Sequence, residues 1–150
     1  MIIGIDLDNT IIDYRNAFWK AGLSTGIFSE RDKNSFSVEN GKFPNKNQIK
    51  HRLKIEDNDE FKWKSLQGQV YGRFIQNATL YPGVANFLLH CKQREVKIYI
   101  ISHKTEFGHH DKSKTSLRKA ALHFLEQKDL LSGDYGIQMK DIFFFDTRCD

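Results

Sequence analysis

Near its start the chain reads IIGIDLDNTI at residues 2 to 11, so Asp6, Asp8, Asn9 and Thr10 follow directly on an apolar run, with Asp13 close behind. Asp6 and Asp8 alternate by two. Where the chain turns away from a strand, both carboxylates can reach one cavity. Ionised carboxylates crowded there repel each other and resist burial unless a cation or a bonding partner offsets them. Such a pair suits nucleophilic and proton-transfer chemistry: one attacks, while the other trades a proton with the leaving group and then with water. A phosphoryl group passed to Asp6 gives an aspartyl phosphate, which water then cleaves. Carboxylates and phosphate are all negative, so the chemistry calls for a hard cation, and Mg²⁺ with its oxygen ligands fits. Further along, Ser102, His103 and Lys104 follow the apolar run VKIYII, and Asp146 and Thr147 follow DIFFF. The Ser102 hydroxyl can hold a phosphoryl oxygen, and backbone N–H groups past each strand can add donors.

These groups need elements that bring them together. Residues 2 to 7 read as a strand that is apolar on both alternations, as a parallel sheet covered on both faces requires. VKIYII (residues 96 to 101) and DIFFF (141 to 145) read as two more strands. Helices are expected near 13 to 21, 46 to 53, 60 to 77, 84 to 94 and 115 to 128. Asn58 or Asp59 caps the third of these, and Trp63, Leu66, Val70 and Phe74 fall on one of its faces. Gly68 and Gly72, four apart on that helix, imply a close neighbouring backbone. Residues 22 to 44 read as irregular, and Tyr81-Pro82-Gly83 as a turn opening the next helix. Strand, helix, strand, helix, strand is the order of an α/β fold with a parallel sheet. In such sheets ligands bind beyond the carboxyl ends of the strands, which gathers Asp6-Leu7-Asp8, Ser102-His103-Lys104 and Asp146-Thr147 at one end.

The bulk properties narrow the field. The chain has 150 residues, 39% hydrophobic and 28% charged, enough for a workable core. No apolar stretch approaches a membrane span, no secretory signal is recognisable, and two cysteines make no disulfide framework. A reducing cytoplasm without a membrane partner is the expectation. The net charge of +4 comes chiefly from two stretches, residues 42 to 54 and 112 to 119. Neither interleaves aromatics as a single-strand nucleic-acid platform would, which disfavours nucleic acid as the partner. The first stretch is suited to steering an anionic substrate.

IDLDNT resembles the first motif, DxDxT, of the haloacid dehalogenase superfamily, and YIISH resembles its second, an apolar strand ending in Ser or Thr. LYPGVANFLLHCKQREVKIYIIS is similar to the stretch leading into that second motif. The resemblance implies a three-layer Rossmannoid α/β core over residues 1–14 and 80–150, with a small helical cap inserted at 15–79. It implies that Asp6 is the nucleophile and Asp8 the general acid/base. Mg²⁺ would be held by the Asp6 side chain and the Asp8 carbonyl, with Asp146 as a further candidate ligand. Phosphate contacts are implied for the Leu7 amide, Thr10, Ser102 and His103. An Asp in the second position resembles phosphatases and phosphotransferases rather than dehalogenases.

The superfamily also uses a lysine and one or two late acids, and two placements are open. In one, Asp146 and Asp150 are the late acids and Lys112 or Lys114 the lysine. In the other, DIFFF is an intervening strand and the late motifs lie beyond Asp150, so the chain is truncated at its C-terminus. The expected function is a Mg²⁺-dependent phosphatase acting on a small phosphomonoester, such as a sugar phosphate. The alternatives are a phosphoryl transferase and a non-catalytic, incomplete domain. Plainer roles compete: turn acids for Asp6 and Asp8, a cap for Ser102, and solvated loop for His103, Lys104, Lys112 and Lys114. His103, His109, His110 and Asp111 match no standard metal spacing. The pattern says nothing about oligomeric state.

Overall fold

The computed structural model describes residues 1–34, 43–57, 60–109 and 114–146. Lys42, the Asn58/Asp59 cap, His110, Asp111, Lys112, Thr147 and Asp150 lie outside the described residues. The chain divides into two compact units. The first comprises 1–13, 80–106 and 116–150, and the second 14–79 and 107–115. Residues 107–109 and 114–115 group with the second unit.

In the first unit the three apolar runs form a parallel sheet: Ile2–Ile5 (β1), Lys97–His103 (β4) and Ile142–Phe145 (β5), in the order β1-β4-β5. Two short strands, Ile12–Asp13 (β2) and Thr79–Leu80 (β3), pair separately. The helices of this unit are Val84–Gln93 (α4) and Leu117–Gln127 (α5). Gly83 opens α4 at φ +88, a left-handed conformation that glycine takes without a Cβ penalty. Ser116 caps α5 by accepting from Lys119 N–H. The register pairs Ile3 with Ile98, Ile5 with Ile100, Ile100 with Ile142, and Ser102 with Phe144. Partners in a parallel pair share a face, so these residues line one side of the sheet, where Ile98, Ile100 and Ser102 are buried.

The opposite face differs from expectation. There Ile2 is 70% exposed, and Ile101, Phe143 and Phe145 are exposed too. The expected cover on both faces, and with it the third layer, is not found among the described residues. Topology supplies the reason. Both crossovers step the same way, from β1 to β4 to β5, and the right-handed rule then sends α4 and α5 to the same side. The demonstrated architecture is thus mixed α/β with a small three-stranded parallel sheet. No helix among the described residues is long and apolar enough to cross a membrane.

The turn before β5 contains a buried carboxylate. Asp141 Oδ2 accepts from Lys97 Nζ at 2.6 Å and from Gln138 N–H at 3.0 Å. Burial pushes the Asp141 carboxyl up, but the Lys97 hydrogen bond, the Gln138 amide and the Lys97 and Lys140 charges outweigh it, holding the group below its ordinary 3.8. A depressed native pKa stabilises the fold above the unfolded value, and the contribution is lost as pH falls through the native value. The wild-type chain should therefore melt higher than Asp141→Asn at neutral pH, and the gap should close below about pH 4. Thermal melts of both proteins across that range check it; a gap independent of pH would remove the ion pair as its cause.

The second unit is helical: Arg15–Ser24 (α1), Lys46–Asp57 (α2) and Glu60–Tyr71 (α3). The expected apolar face of α3 is present, with Trp63, Leu66 and Val70 buried, but the helix stops at Tyr71 and a 3-10 turn, Ile75–Asn77, follows. Aromatic rings form this core: Phe18 stacks on Trp63 at 5.6 Å, Tyr14 meets Tyr71 edge-on at 4.8 Å, and Trp19 stacks on Phe28 at 5.6 Å. The basic stretch on α2 is partly committed within the unit. Lys46 Nζ donates to Tyr71 OH at 3.0 Å, Lys50 lies 6.0 Å from the Trp63 ring, and Arg52 pairs with Asp32 at 2.6 Å. Steering by this stretch thus rests on fewer free cations than its composition suggests.

Candidate active site

The chain leaves β1 at Ile5 and turns tightly. The N–H groups of Ile11 and Ile12 both donate to the Leu7 carbonyl at 3.0 Å, and Asn9 N–H donates to the Ile12 carbonyl at 3.0 Å. Asn9 sits at φ +61, in the left-handed region that Asn tolerates better than most residues. The IDLDNT pattern thus makes a closed turn on an apolar strand, with Leu7, Ile11 and Ile12 buried beneath it. Asp6 is exposed, and its Oδ1 accepts from Leu7 N–H at 2.8 Å. That contact orients the Asp6 carboxylate and engages the amide that the resemblance assigns to phosphate. Thr10 lies exposed in the turn.

Asp8 meets the end of the second motif strand. Lys104 Nζ lies 2.8 Å from Asp8 Oδ2, with the lysine side chain 2% exposed and the aspartate 18%. β4 runs to His103, and strand alternation continues inward through Ile98, Ile100, Ser102 and Lys104, all buried. Ser102 is 1% exposed, and among the described residues its Oγ has no hydrogen-bond partner. A buried hydroxyl without a partner is a costly group, of the kind that native structures reserve for a bound water or ligand. His103 has the other parity. It lies on the open face with its ring 6.2 Å from Phe145, so alternation separates it from Ser102 and Lys104.

A second cluster braces this corner. Arg118, in the first turn of α5, donates through Nε to the Lys104 carbonyl at 2.9 Å and through Nη2 to Asp146 Oδ1 at 2.7 Å. Its Nε is 3.7 Å from Glu106 Oε2, and its guanidinium is 5.9 Å from the Phe144 ring. Ser116 Oγ hydrogen-bonds the Glu106 carboxylate, and Leu117 N–H donates to the Glu106 carbonyl at 2.8 Å. Asp146, a candidate metal ligand by sequence, is ion-paired to Arg118 and 69% exposed. The strand order sets β4 between it and the first-strand acids. Lys114 belongs to the second unit and is exposed, at φ +48.

The donor chemistry of the corner suits a hard cation, because Asp6 and Asp8 offer only oxygen. No cluster of three or more His, Cys, Asp or Glu side chains poised for a metal occurs among the described residues. Mg²⁺ commonly takes only one or two carboxylates and completes its shell with water and substrate phosphate. The Asp6 carboxylate and the Asp8 carbonyl are the groups that would hold it.

The sequence places Lys104 with Ser102 and His103 at the ligand end of the sheet, with solvated loop as its competing role, and marks Arg118 only as one charge in a basic stretch. A parity count would have found Lys104, since it shares the inward register of Ser102. Nothing local marks Arg118, whose hydrogen-bond partners lie 14 and 28 residues away. No known family model matches the chain, and no match is found among the curated proteins.

Proposed function

We propose that this chain is a Mg²⁺-dependent phosphohydrolase of the haloacid dehalogenase type, acting on a small phosphomonoester through an aspartyl phosphate on Asp6. The observation that supports it best is the buried Lys104 ammonium 2.8 Å from Asp8. It ties the DxDxT turn to the strand that carries Ser102, and it puts a fixed positive charge beside acids that must work against an anionic substrate. In this reading Lys104 takes the neutralising role for which the resemblance offers Lys112, Lys114 or a lysine beyond Asp150.

In this reading Asp6 attacks phosphorus through Oδ2, with Oδ1 held by Leu7 N–H. Asp8 enters the cycle carrying a proton, delivers it to the leaving oxygen, pairs with the Lys104 ammonium while ionised, and recovers a proton from the attacking water. The Ser102 hydroxyl donates to a phosphoryl oxygen, which would satisfy its buried Oγ. Bound at Asp6 and the Asp8 carbonyl, Mg²⁺ would supply charge neutralisation for the transferring group.

The test is phosphate release from a panel of small phosphomonoesters. Turnover with added Mg²⁺ that EDTA abolishes and Mg²⁺ restores is the expected result. No turnover on the panel with any divalent ion would overturn the reading. Transfer of phosphate to an added alcohol, in place of free phosphate, would identify a transferase instead.

A further inference from the structure

We propose that Arg118 is a positioning residue that keeps Lys104 seated beside Asp8. Lys104 stands at the end of β4, where the strand ladder stops holding the chain in register: β4 pairs with β5 only as far as His103 opposite Phe145. Beyond that point the chain runs through Thr105 and Glu106 before leaving the first unit, which it re-enters at Ser116. A buried ammonium on so short and unladdered a segment needs its backbone fixed by something else. Arg118 does this from a rigid element, the first turn of α5. Its Nε–H bond fixes the Lys104 carbonyl at 2.9 Å, and its bond to Asp146 fixes the guanidinium itself at 2.7 Å. The planar guanidinium can donate in both directions at once, which an ammonium on a flexible stem cannot do with the same geometry. Ser116 and Leu117 hold Glu106 from the same turn, so the segment is anchored at 104 and again at 106.

The role is indirect. Arg118 touches the Lys104 backbone rather than a reacting atom, and the bond places the lysine's Cα so that its side chain reaches inward. Asp146 then acts as the anchor of Arg118. Its carboxylate engages a guanidinium on the side of β4 remote from β1, which accounts for an acid at the end of the third strand without assigning it a metal. As a statement about catalysis this rests on the phosphohydrolase reading, but as a statement about Lys104 it can be measured without activity.

Amine acetylation of the intact chain, read lysine by lysine by mass spectrometry, provides that measurement. In the wild type, Lys104 should be strongly protected relative to the exposed Lys20 and Lys119. In Arg118→Ala, loss of a charge-assisted hydrogen bond should raise Lys104 modification by about tenfold or more. Lys97, ion-paired to Asp141 away from Arg118, is the internal control and should stay within about twofold, since its contacts share no partner with Arg118. Arg118→Lys, which keeps the charge but not the fork, should give an intermediate increase and serves if the alanine variant does not fold. Where phosphate release is measurable, Arg118→Ala should lower kcat about tenfold with KM within about twofold, because positioning acts on the transition state. Unchanged Lys104 protection in both variants overturns the proposal. Absence of phosphate release in the wild type would count against the phosphohydrolase reading alone and leave the acetylation result to decide the role of Arg118.

Discussion

Asp6→Asn is expected to abolish Mg²⁺-dependent phosphate release, with kcat falling by at least about a thousandfold. The substitution is nearly isosteric. The amide oxygen can still accept from Leu7 N–H, as Asp6 Oδ1 does at 2.8 Å, so the closed turn over Leu7, Ile11 and Ile12 should survive. What disappears is the negative oxygen that attacks phosphorus. An amide is too weak a nucleophile to replace it, and Asp8 is held in an ion pair with Lys104. The thermal midpoint should therefore stay near that of the wild type while turnover vanishes. Trapping sharpens the test: a burst of acid-stable, hydroxylamine-sensitive phosphorylation should occur in the wild type and be missing in the variant. Wild-type-like turnover in Asp6→Asn would sink the nucleophile assignment outright.

Lys104→Met carries the second large expected effect, and it acts on both stability and rate. Methionine keeps most of the lysine stem and removes the charge. The Asp8 carboxylate, 18% exposed and 2.8 Å from Nζ, would lose its buried cationic partner. Breaking one side of a buried pair costs several kcal/mol, and the partial exposure of Asp8 reduces this to about 1–3 kcal/mol. The loss of fixed positive charge beside an anionic substrate should lower kcat by at least about a hundredfold. The double variant Lys104→Met with Asp8→Asn separates the two contributions. If the ion pair is the cause, removing the second charge should restore much of the stability while activity stays low, a coupling read by chemical denaturation. Full additivity of the two substitutions would mean that the pair does not hold the corner together. Wild-type turnover in Lys104→Met would remove the lysine from the chemistry.

Both predictions concern residues whose meaning differed greatly in legibility. Asp6 could be picked out in the sequence because its signal is local: an apolar run ending in acids spaced by two. The buried side of β4 was legible for the same reason, since VKIYII announces a core strand and Ser102 follows it directly. Element types also followed from periodicity, with α1, α2, α4 and α5 found within a few residues of their expected bounds. The errors lie at ends and partners. Helix α3 was expected to run to residue 77 and stops at Tyr71, where Gly72 N–H bonds back to the Gly68 carbonyl and a 3-10 turn takes over after it. Glycine weakens a helix interior, so a glycine just past the last turn is a more natural end than a continuation.

The sequence by itself determined the three strands of the parallel sheet and the five helices, though not the short pair Ile12–Asp13 and Thr79–Leu80, and that acids and a serine stand at or near the ends of strands that can lie parallel. Those properties come from near neighbours along the chain, where hydrophobic period and turn chemistry act. Only the tertiary structure decided that Lys104 points inward to Asp8, that Arg118 joins the carbonyl of Lys104 to Asp146, and that Ile2, Ile101, Phe143 and Phe145 on one face of the sheet are exposed. Each of these depends on strand order and on which side of the sheet a crossover takes. Strand order and the choice of ionic partner are settled by packing between residues far apart in the chain, and a local pattern of charges is compatible with many such pairings.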